Sequence, residues 1–106
     1  MSVHVIHKPE LNRYEAWMDG ELVGFAEYHL DGRRLTLTHT EVNSRHEGQG
    51  IGSRLADEAL TDVGARGLEL IPRCPFIADY VRRHPDRFLE LVPEPLRDTV
   101  MAEGRG

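Results

Sequence analysis

The chain has 106 residues, a length typical of one domain built around one hydrophobic core. Its formal net charge of −5 provides no broad positive field, so we expect neither a nucleic acid nor a membrane as a partner. The one cysteine, Cys74, excludes an intrachain disulfide, and no stretch has the length and hydrophobicity of a signal peptide or a membrane span. We therefore expect a cytoplasmic protein.

The first 42 residues have the pattern of a β-meander. Strands are predicted over residues 3–8, 13–18, 21–30 and 34–42. The pairs Asp19-Gly20 and Asp31-Gly32 separate the last three of these strands, and such pairs favour hairpins because glycine adopts positive φ without strain. Alternation along the third strand predicts one common side for Leu22, Gly24, Ala26, Tyr28 and Leu30.

The second half of the chain alternates helical and extended patterns. Apolar residues from Ile51 onwards recur at helical spacing, and Gly67 is placed to end this helix. Further predicted elements are a strand over 68–72, a helix over 76–84 that stops at His84-Pro85, and a short helix over 96–102. A strand, a helix and a strand in succession predict two parallel strands. The predicted fold class is α+β, with an antiparallel N-terminal meander followed by a βαβ unit and flanking helices.

Residues 45–53 form a polar, glycine-rich loop between a predicted strand and the start of a predicted helix. Glycines at positions 48, 50 and 52 let the backbone approach a ligand closely, and the first helical turn presents unpaired N–H groups and the positive end of its dipole. Together these features predict a site for a phosphate group. The alternative is a glycine-rich turn without a ligand.

Three classes of phosphate ligand use such a loop. A P-loop requires Lys followed by Ser or Thr after its last glycine, whereas here Gly52 is followed by Ser53-Arg54. A dinucleotide-binding loop is closer, since Glu69 provides an acidic residue about twenty positions on, but that fold needs several βαβ units and this chain has the pattern of one. The third class is coenzyme A.

The segment Arg45-x-x-Gly48-x-Gly50 resembles motif A of the GNAT acetyltransferases, Gln/Arg-x-x-Gly-x-Gly/Ala. His39-Thr40-Glu41-Val42 before the loop, with Cys74-Pro75-Phe76 and Tyr80-Val81-Arg82-Arg83-His84-Pro85 after the next strand, resemble the small stand-alone Yjdj-type branch of that superfamily. The resemblance spans residues 3 to 90 and implies a GNAT-like mixed sheet.

The resemblance implies acetyl-CoA as the ligand of the loop. The main-chain amides of Gln49 to Ser53 would hold its diphosphate, with Arg45 and His46 beside the phosphates. The pantetheine arm would lie along the strand that ends at Val42, in the manner of an added strand. The implied cofactor-binding residues are Val42, Arg45, His46, Gly48, Gln49, Gly50, Ile51, Gly52, Ser53 and Tyr80.

Cys74, His39 and Glu41 are the candidates for catalysis. The resemblance implies an active-site thiol at Cys74, as a nucleophile or an aid to proton transfer; a buried structural thiol is the alternative. His39 would act as a base, or be a hydrogen-bonded histidine on a half-buried face that it shares with Leu35, Leu37 and Glu41. Glu41 would act as a base, orient His39, or face solvent.

Tyr80 lies in the region where many GNAT enzymes place a tyrosine that protonates the CoA sulfur. Its spacing with Phe76, Ile77 and Val81 equally predicts a core residue. The sequence has no His-Glu-x-x-His motif and no paired cysteine spacing, so no metal is expected.

The predicted function is an N-acetyltransferase that transfers acetyl from acetyl-CoA to an unidentified amine, on a small molecule or a protein. The alternative is an acyl-CoA-binding or regulatory module with little catalysis, because a chain of this size lacks the additional helices that build the acceptor pocket in larger GNAT enzymes. We divide the chain into an acetyl-CoA-binding domain of residues 1–92 and a C-terminal segment of residues 93–106, with a short helix and a loose tail. The sequence assigns no oligomeric state.

Overall fold

Five strands form one mixed sheet at the centre of the fold. The computed structural model describes residues 2–102. The strands are β1 (His4–Lys8), β2 (Arg13–Met18), β3 (Glu21–Asp31), β4 (Arg34–Val42) and β5 (Glu69–Pro72). They are ordered β1-β2-β3-β4-β5; the first four are antiparallel neighbours and β5 lies parallel to β4. The predicted α+β fold, with an antiparallel meander and a βαβ unit, is confirmed.

Two short turns connect β2, β3 and β4 as the Asp-Gly pairs predict. Asp19 and Gly20 both have positive φ, 51° and 78°, which is the requirement of a type I′ hairpin turn. The second turn lies one residue later than its Asp-Gly pair, because Asp31 still pairs with Arg34. Gly32, with φ of 61°, is therefore the first central residue of that turn.

A β-bulge in β3 changes which side chains face the core. Pairing with β2 shifts between Ala16 and Trp17, so that Val23 is the additional residue on β3. Val23 is 1% exposed, Leu22 is only half-buried and Leu30 is 44% exposed. The expected common side was therefore wrong for Leu22. It holds for Gly24, Ala26, Tyr28 and Leu30, and Leu30 is exposed although it pairs with the buried Leu35 on the core side.

A second bulge lies in β4. Glu27 pairs with His39 and Tyr28 with Leu37, which leaves Thr38 as the additional residue. Leu37 is buried on the core side, and beyond the bulge Thr40 and Val42 take over that side. The expectation that His39 shares a face with Leu35 and Leu37 was therefore wrong. His39 shares a face with Glu41, on the opposite side of the sheet. We call this side, which carries Glu15, Trp17, Leu22, Phe25, Glu27, His39 and Glu41, the outer face.

The longest helix, α1 (Ile51–Ala65), packs across the core side of the sheet and contacts all five strands. Its buried residues repeat at helical spacing, as the apolar pattern predicts, and Gly67 follows the helix with φ of 68°. The core between α1 and the sheet includes Tyr14, Ala16, Ala26, Leu35, Leu37, Leu55, Ala59, Leu60 and Val63. This packing fixes the start of α1 beside the end of β4.

Within residues 2–102, three further α-helices follow β5: α2 (Pro75–Arg83), α3 (Pro85–Phe88) and α4 (Glu94–Ala102). The predicted stop at His84-Pro85 is confirmed, but Pro85 also begins α3, because proline suits the first position of a helix. The last helix begins two residues before the predicted 96–102. The division after residue 92 stays a prediction, and the expected tail at 103–106 lies outside the described residues. No helix within residues 2–102 is long and apolar enough to cross a membrane.

Candidate functional site

β4 and β5 separate before β4 ends. Their parallel pairing runs from Arg34 opposite Glu69 to Leu37 opposite Pro72. The Cys74 N–H then donates to the Leu37 carbonyl at 2.9 Å, and α2 begins at the next residue. On the edge of β4 that faces β5, no strand within residues 2–102 pairs with residues 38–42. The separation leaves an open strand edge that ends at the glycine-rich loop.

The loop between β4 and α1 leaves the N–H groups of the first helical turn without helical partners. Gly48 and Gly50 have φ of 85° and 79°, a region that non-glycine residues avoid, and Gly50 is the N-cap of α1. The first helical hydrogen bond runs from the Arg54 N–H to the Gly50 carbonyl at 3.0 Å. The N–H groups of residues 51–53 therefore have no partner within the helix, and they lie at its positive end.

A cleft of about 380 Å³ opens beside these N–H groups. Its lining residues are Thr40, Val42, His46, Glu47, Gly48, Gly50, Ile51, Gly52, Ser53 and Phe76. Of the ten residues predicted to bind a cofactor, the structure brings seven to this cleft. Gln49, Arg45 and Tyr80 are the other three. Thr40, Glu47 and Phe76 are additional lining residues that the sequence did not single out for this role.

Phe76 forms the wall of the cleft against the start of α1. A Cβ atom at Gly52 would lie 2.7 Å from Cζ of the Phe76 ring, closer than side-chain carbons pack. Gly52 is therefore required by close packing, since its φ is not in the left-handed region. Gly52 and Phe76 both line the cleft.

The His46 side chain lines the cleft and is only 15% exposed. Neither ring nitrogen has a hydrogen-bond partner among the described residues. The Glu21 carboxylate is 3.8 Å from Nε2, which is beyond hydrogen-bond distance. Glu21 also accepts from the exposed Arg45 guanidinium at 3.4 Å. A buried polar ring without a partner costs free energy unless a ligand or water supplies one.

Cys74 lies at the inner end of the separation between the two strands. It is the N-cap of α2, is 5% exposed, and its thiol donates to Oγ1 of Thr40 at 3.4 Å. Because Thr40 and His39 are adjacent on a strand, their side chains point to opposite faces. The structure therefore places Cys74 and His39 on different sides of β4.

His39 and Glu41 form a pair on the outer face. Nε2 of His39 is 3.0 Å from Oε1 of Glu41, and the two side chains are 53% and 62% exposed. The His39 ring also contacts Phe25 of β3, with ring centroids 6.1 Å apart. The two carboxylate oxygens and two ring nitrogens of this pair can accept and pass on a proton.

Tyr80 packs in the core and does not line the cleft. Its hydroxyl donates to the Asp57 carboxylate at 2.6 Å, and the Arg87 guanidinium donates to the same oxygen at 2.6 Å. The hydrogen bonds from Arg87, with a smaller contribution from Tyr80, lower the pKa of Asp57 below its ordinary value despite partial burial. Burial and the bond to Asp57 raise the pKa of Tyr80. Tyr80 therefore links α2 to α1.

The substitution Tyr80→Phe tests this placement. We expect it to lower the free energy of unfolding by about 1–2 kcal/mol, because a hydrogen bond to a charged carboxylate is lost. We expect the Kd for acetyl-CoA to stay unchanged. Denaturant unfolding and titration calorimetry measure the two quantities. Weaker binding with unchanged stability would instead assign Tyr80 to the cofactor.

Comparisons with known proteins agree with this architecture. Residues 13–91 match the GCN5-related N-acetyl-transferase family, and the chain belongs to that family. It therefore carries an acetyltransferase domain of the GNAT type.

Solved structures with a similar fold are also acetyltransferases. The ribosomal-protein-S18-alanine N-acetyltransferase from Escherichia coli has a TM-score of 0.53 and 22% identity, over 55% of this chain and 38% of that chain. The ribosomal-protein-alanine N-acetyltransferase from Brucella melitensis biovar Abortus 2308 has a TM-score of 0.53 and 25% identity, over 72% of this chain and 61% of that chain. The chain spans less than two thirds of the length of either.

Proposed function

We propose that the protein is an N-acetyltransferase that transfers acetyl from acetyl-CoA to an amine. The observation that carries this proposal is the cleft at the start of α1. It brings together three N–H groups without helical partners and a buried histidine ring without a hydrogen-bond partner. A diphosphate supplies acceptor oxygens for the three N–H groups, and His46 lines the same cleft beside it. Acetyl-CoA is the acetyl donor of the family to which the chain belongs.

The chain offers a path for the rest of the cofactor. We place the diphosphate at the N–H groups of residues 51–53 and the pantetheine arm along the open edge of β4, residues 38–42. Main-chain groups on that edge have no strand partner among the described residues, so they are available to an extended ligand. This position directs the thioester towards Thr40 and Cys74.

Acetyl transfer forms a bond between the amine nitrogen and the acetyl carbon, and breaks the bond between that carbon and sulfur. An ammonium acceptor gives up two protons in total; one is released and one remains on the CoA thiol. We propose that the His39–Glu41 pair, which is exposed on the outer face, accepts the proton that is released. Cys74 is 5% exposed and its thiol donates to Thr40, so we propose direct attack by the amine rather than an acetyl-cysteine.

Two finer assignments also belong to this proposal. Cys74-Pro75-Phe76 and the segment 80–85 support the small Yjdj-type branch of the family. The single cysteine fits a reducing compartment, so we propose a cytoplasmic location.

Titration calorimetry with acetyl-CoA, CoA and NAD tests the ligand of the cleft. We expect binding of both CoA compounds in preference to NAD. We expect His46→Ala to weaken acetyl-CoA binding about tenfold to a hundredfold, the effect of losing a hydrogen bond to a charged group. His29→Ala, an exposed histidine elsewhere on β3, is the matched control and should bind normally. A preference for NAD would contradict the proposal.

Labelled acetyl-CoA and a panel of amines and lysine peptides test catalysis. The expected result is label on the acceptor and none on the protein. Label on Cys74 that an acceptor can remove would contradict direct attack. Binding of acetyl-CoA without transfer to any acceptor would favour an acyl-CoA-binding module.

A further inference from the structure

A hydrogen-bonded network around His7 joins β1 to the end of α1. Antiparallel pairing places His7 opposite Tyr14 on the core side of the sheet, and the two rings stack with their centroids 4.4 Å apart. Nε2 of His7 lies 2.7 Å from the Tyr28 hydroxyl, and Nδ1 lies 2.9 Å from Nη2 of Arg66. The His7 side chain is only 16% exposed. Both of its ring nitrogens therefore have hydrogen-bond partners inside the fold.

These partners assign the protonation state of the His7 ring. A guanidinium has N–H donors and no acceptor, so Nδ1 must accept from Arg66 and cannot carry a proton itself. The proton of the neutral ring is then on Nε2, which donates to the Tyr28 hydroxyl oxygen. A second proton would go to Nδ1, where it would face the Arg66 N–H. The hydrogen bonds of the folded chain therefore require a neutral His7.

The charged groups around His7 do not offer a partner to a protonated ring. Asp62 of α1 has its Oδ2 atom 3.7 Å from Nδ1, beyond hydrogen-bond distance. That oxygen already accepts from the Tyr14 hydroxyl at 2.7 Å and from Nε of Arg66 at 2.7 Å. Glu10, in the turn after β1, attracts a charged ring only through space. Burial and the Arg66 charge outweigh both carboxylates and lower the pKa of His7 below its ordinary value.

A cavity of about 420 Å³ lies between α1 and the first two strands. Its lining residues are Val5, His7, Tyr14, Asp57, Glu58, Thr61, Asp62 and Ala65. The carboxylates of Asp57 and Glu58 have arginine partners of their own. In addition, β1 is an edge strand, and within residues 2–102 it pairs with β2 alone. Because side-chain packing leaves this gap, the contact of β1 with α1 depends more on the hydrogen bonds of His7.

We propose that His7 is a pH-sensitive latch, which holds β1 to α1 in its neutral form and releases this edge strand when it is protonated. A base with a lowered pKa in the closed form binds a proton more readily once the strand is released. The stabilisation is therefore complete above about pH 6.5, the ordinary value for histidine, and is lost as the pH falls below it. The latch lies at the opposite end of α1 from the cleft, so it does not depend on the proposed acetyl transfer.

Heteronuclear NMR of the histidine rings tests the protonation state. At about pH 7.5 we expect His7 in the wild type as the Nε2–H tautomer, with a titration midpoint below the ordinary value. In Arg66→Gln we expect this midpoint to rise, because the cation is lost and Asp62 no longer accepts from it. A proton on Nδ1 at this pH, or a midpoint above the ordinary value in the wild type, would overturn the proposal.

Hydrogen exchange measures the release of β1. After correction for the intrinsic effect of pH on exchange, we expect protection of the β1 amides to fall between about pH 8 and pH 5, while β3 and β4 keep theirs. The factor should equal the ratio of the dissociation constants of the ring in the closed and released forms.

Two variants on the same strand complete this test. His7→Gln does not titrate, so β1 protection should be independent of pH after the same correction. His4→Gln replaces an exposed histidine and should follow the wild type. Protection of β1 that does not change with pH in the wild type, or an equal fall over the whole sheet, would show that His7 is not a latch.

Discussion

In Gly52→Ala, acetyl-CoA binding is expected to weaken about tenfold to a hundredfold. The new Cβ atom would lie 2.7 Å from the Phe76 ring, so the ring must move. Overpacking of this kind costs about 1–3 kcal/mol, and the ring that must shift lines the cleft that we assign to acetyl-CoA. Titration calorimetry measures the change in Kd, and thermal unfolding measures any loss of stability.

The double variant Gly52→Ala/Phe76→Ala separates this contact from other effects. Removing the ring should restore most of the lost affinity, because the clash disappears while the N–H of residue 52 remains. Gly64→Ala on the same helix is the control. Its Cβ would meet only the end of the Leu91 side chain, at 3.3 Å, and it lies far from the cleft. Normal binding by Gly52→Ala would contradict the assignment of the cleft.

The parts of the fold that were predicted correctly depend on local patterns. The turn at Asp19-Gly20, the helix from Ile51 and the stop at Gly67 each follow from the conformational preference of a few neighbouring residues. The glycine-rich loop before α1 belongs to the same group, because Gly48 and Gly50 supply the positive φ that it needs. Its role as an anion site stays a prediction.

The two bulges could not be predicted from the sequence. A bulge is a shift in pairing between strands, and neither Val23 nor Thr38 has a composition that marks it. Each shift reverses the direction of every later side chain on its strand, which is why the expected faces of Leu22 and His39 were wrong. The position of the His39–Glu41 pair on the outer face follows from the shift at Thr38.

Contacts between distant residues account for the rest of the site. Phe76 was placed on the apolar face of a helix, and only the packing of α2 on α1 brings its ring against Gly52. The partner of Tyr80, Asp57, lies 23 residues away, so the sequence left its role open between core and cofactor. Similarly, the absence of a described partner for the His46 ring appears only when its surroundings are known.

Glu41→Gln is expected to lower kcat about a hundredfold or more at pH 7 without changing the Kd for acetyl-CoA. A general base contributes roughly 10²–10⁴-fold, and an aliphatic ammonium with a pKa near 10.4 is almost fully protonated at pH 7. The variant must rely on the small neutral fraction in solution, which rises about tenfold per pH unit. Its deficit relative to the wild type should therefore narrow steadily as the pH approaches 10, in steady-state assays with saturating acetyl-CoA.

The pH dependence separates proton removal from a merely structural role of Glu41. A distorted site would lose the same factor at every pH, because the neutral amine would find the same faulty geometry. Glu27→Gln, with an equal change in charge on the outer face, should follow the wild-type profile throughout. If the deficit of Glu41→Gln stayed constant between pH 7 and pH 10, the proton would leave by another route and the His39–Glu41 pair would not be the base.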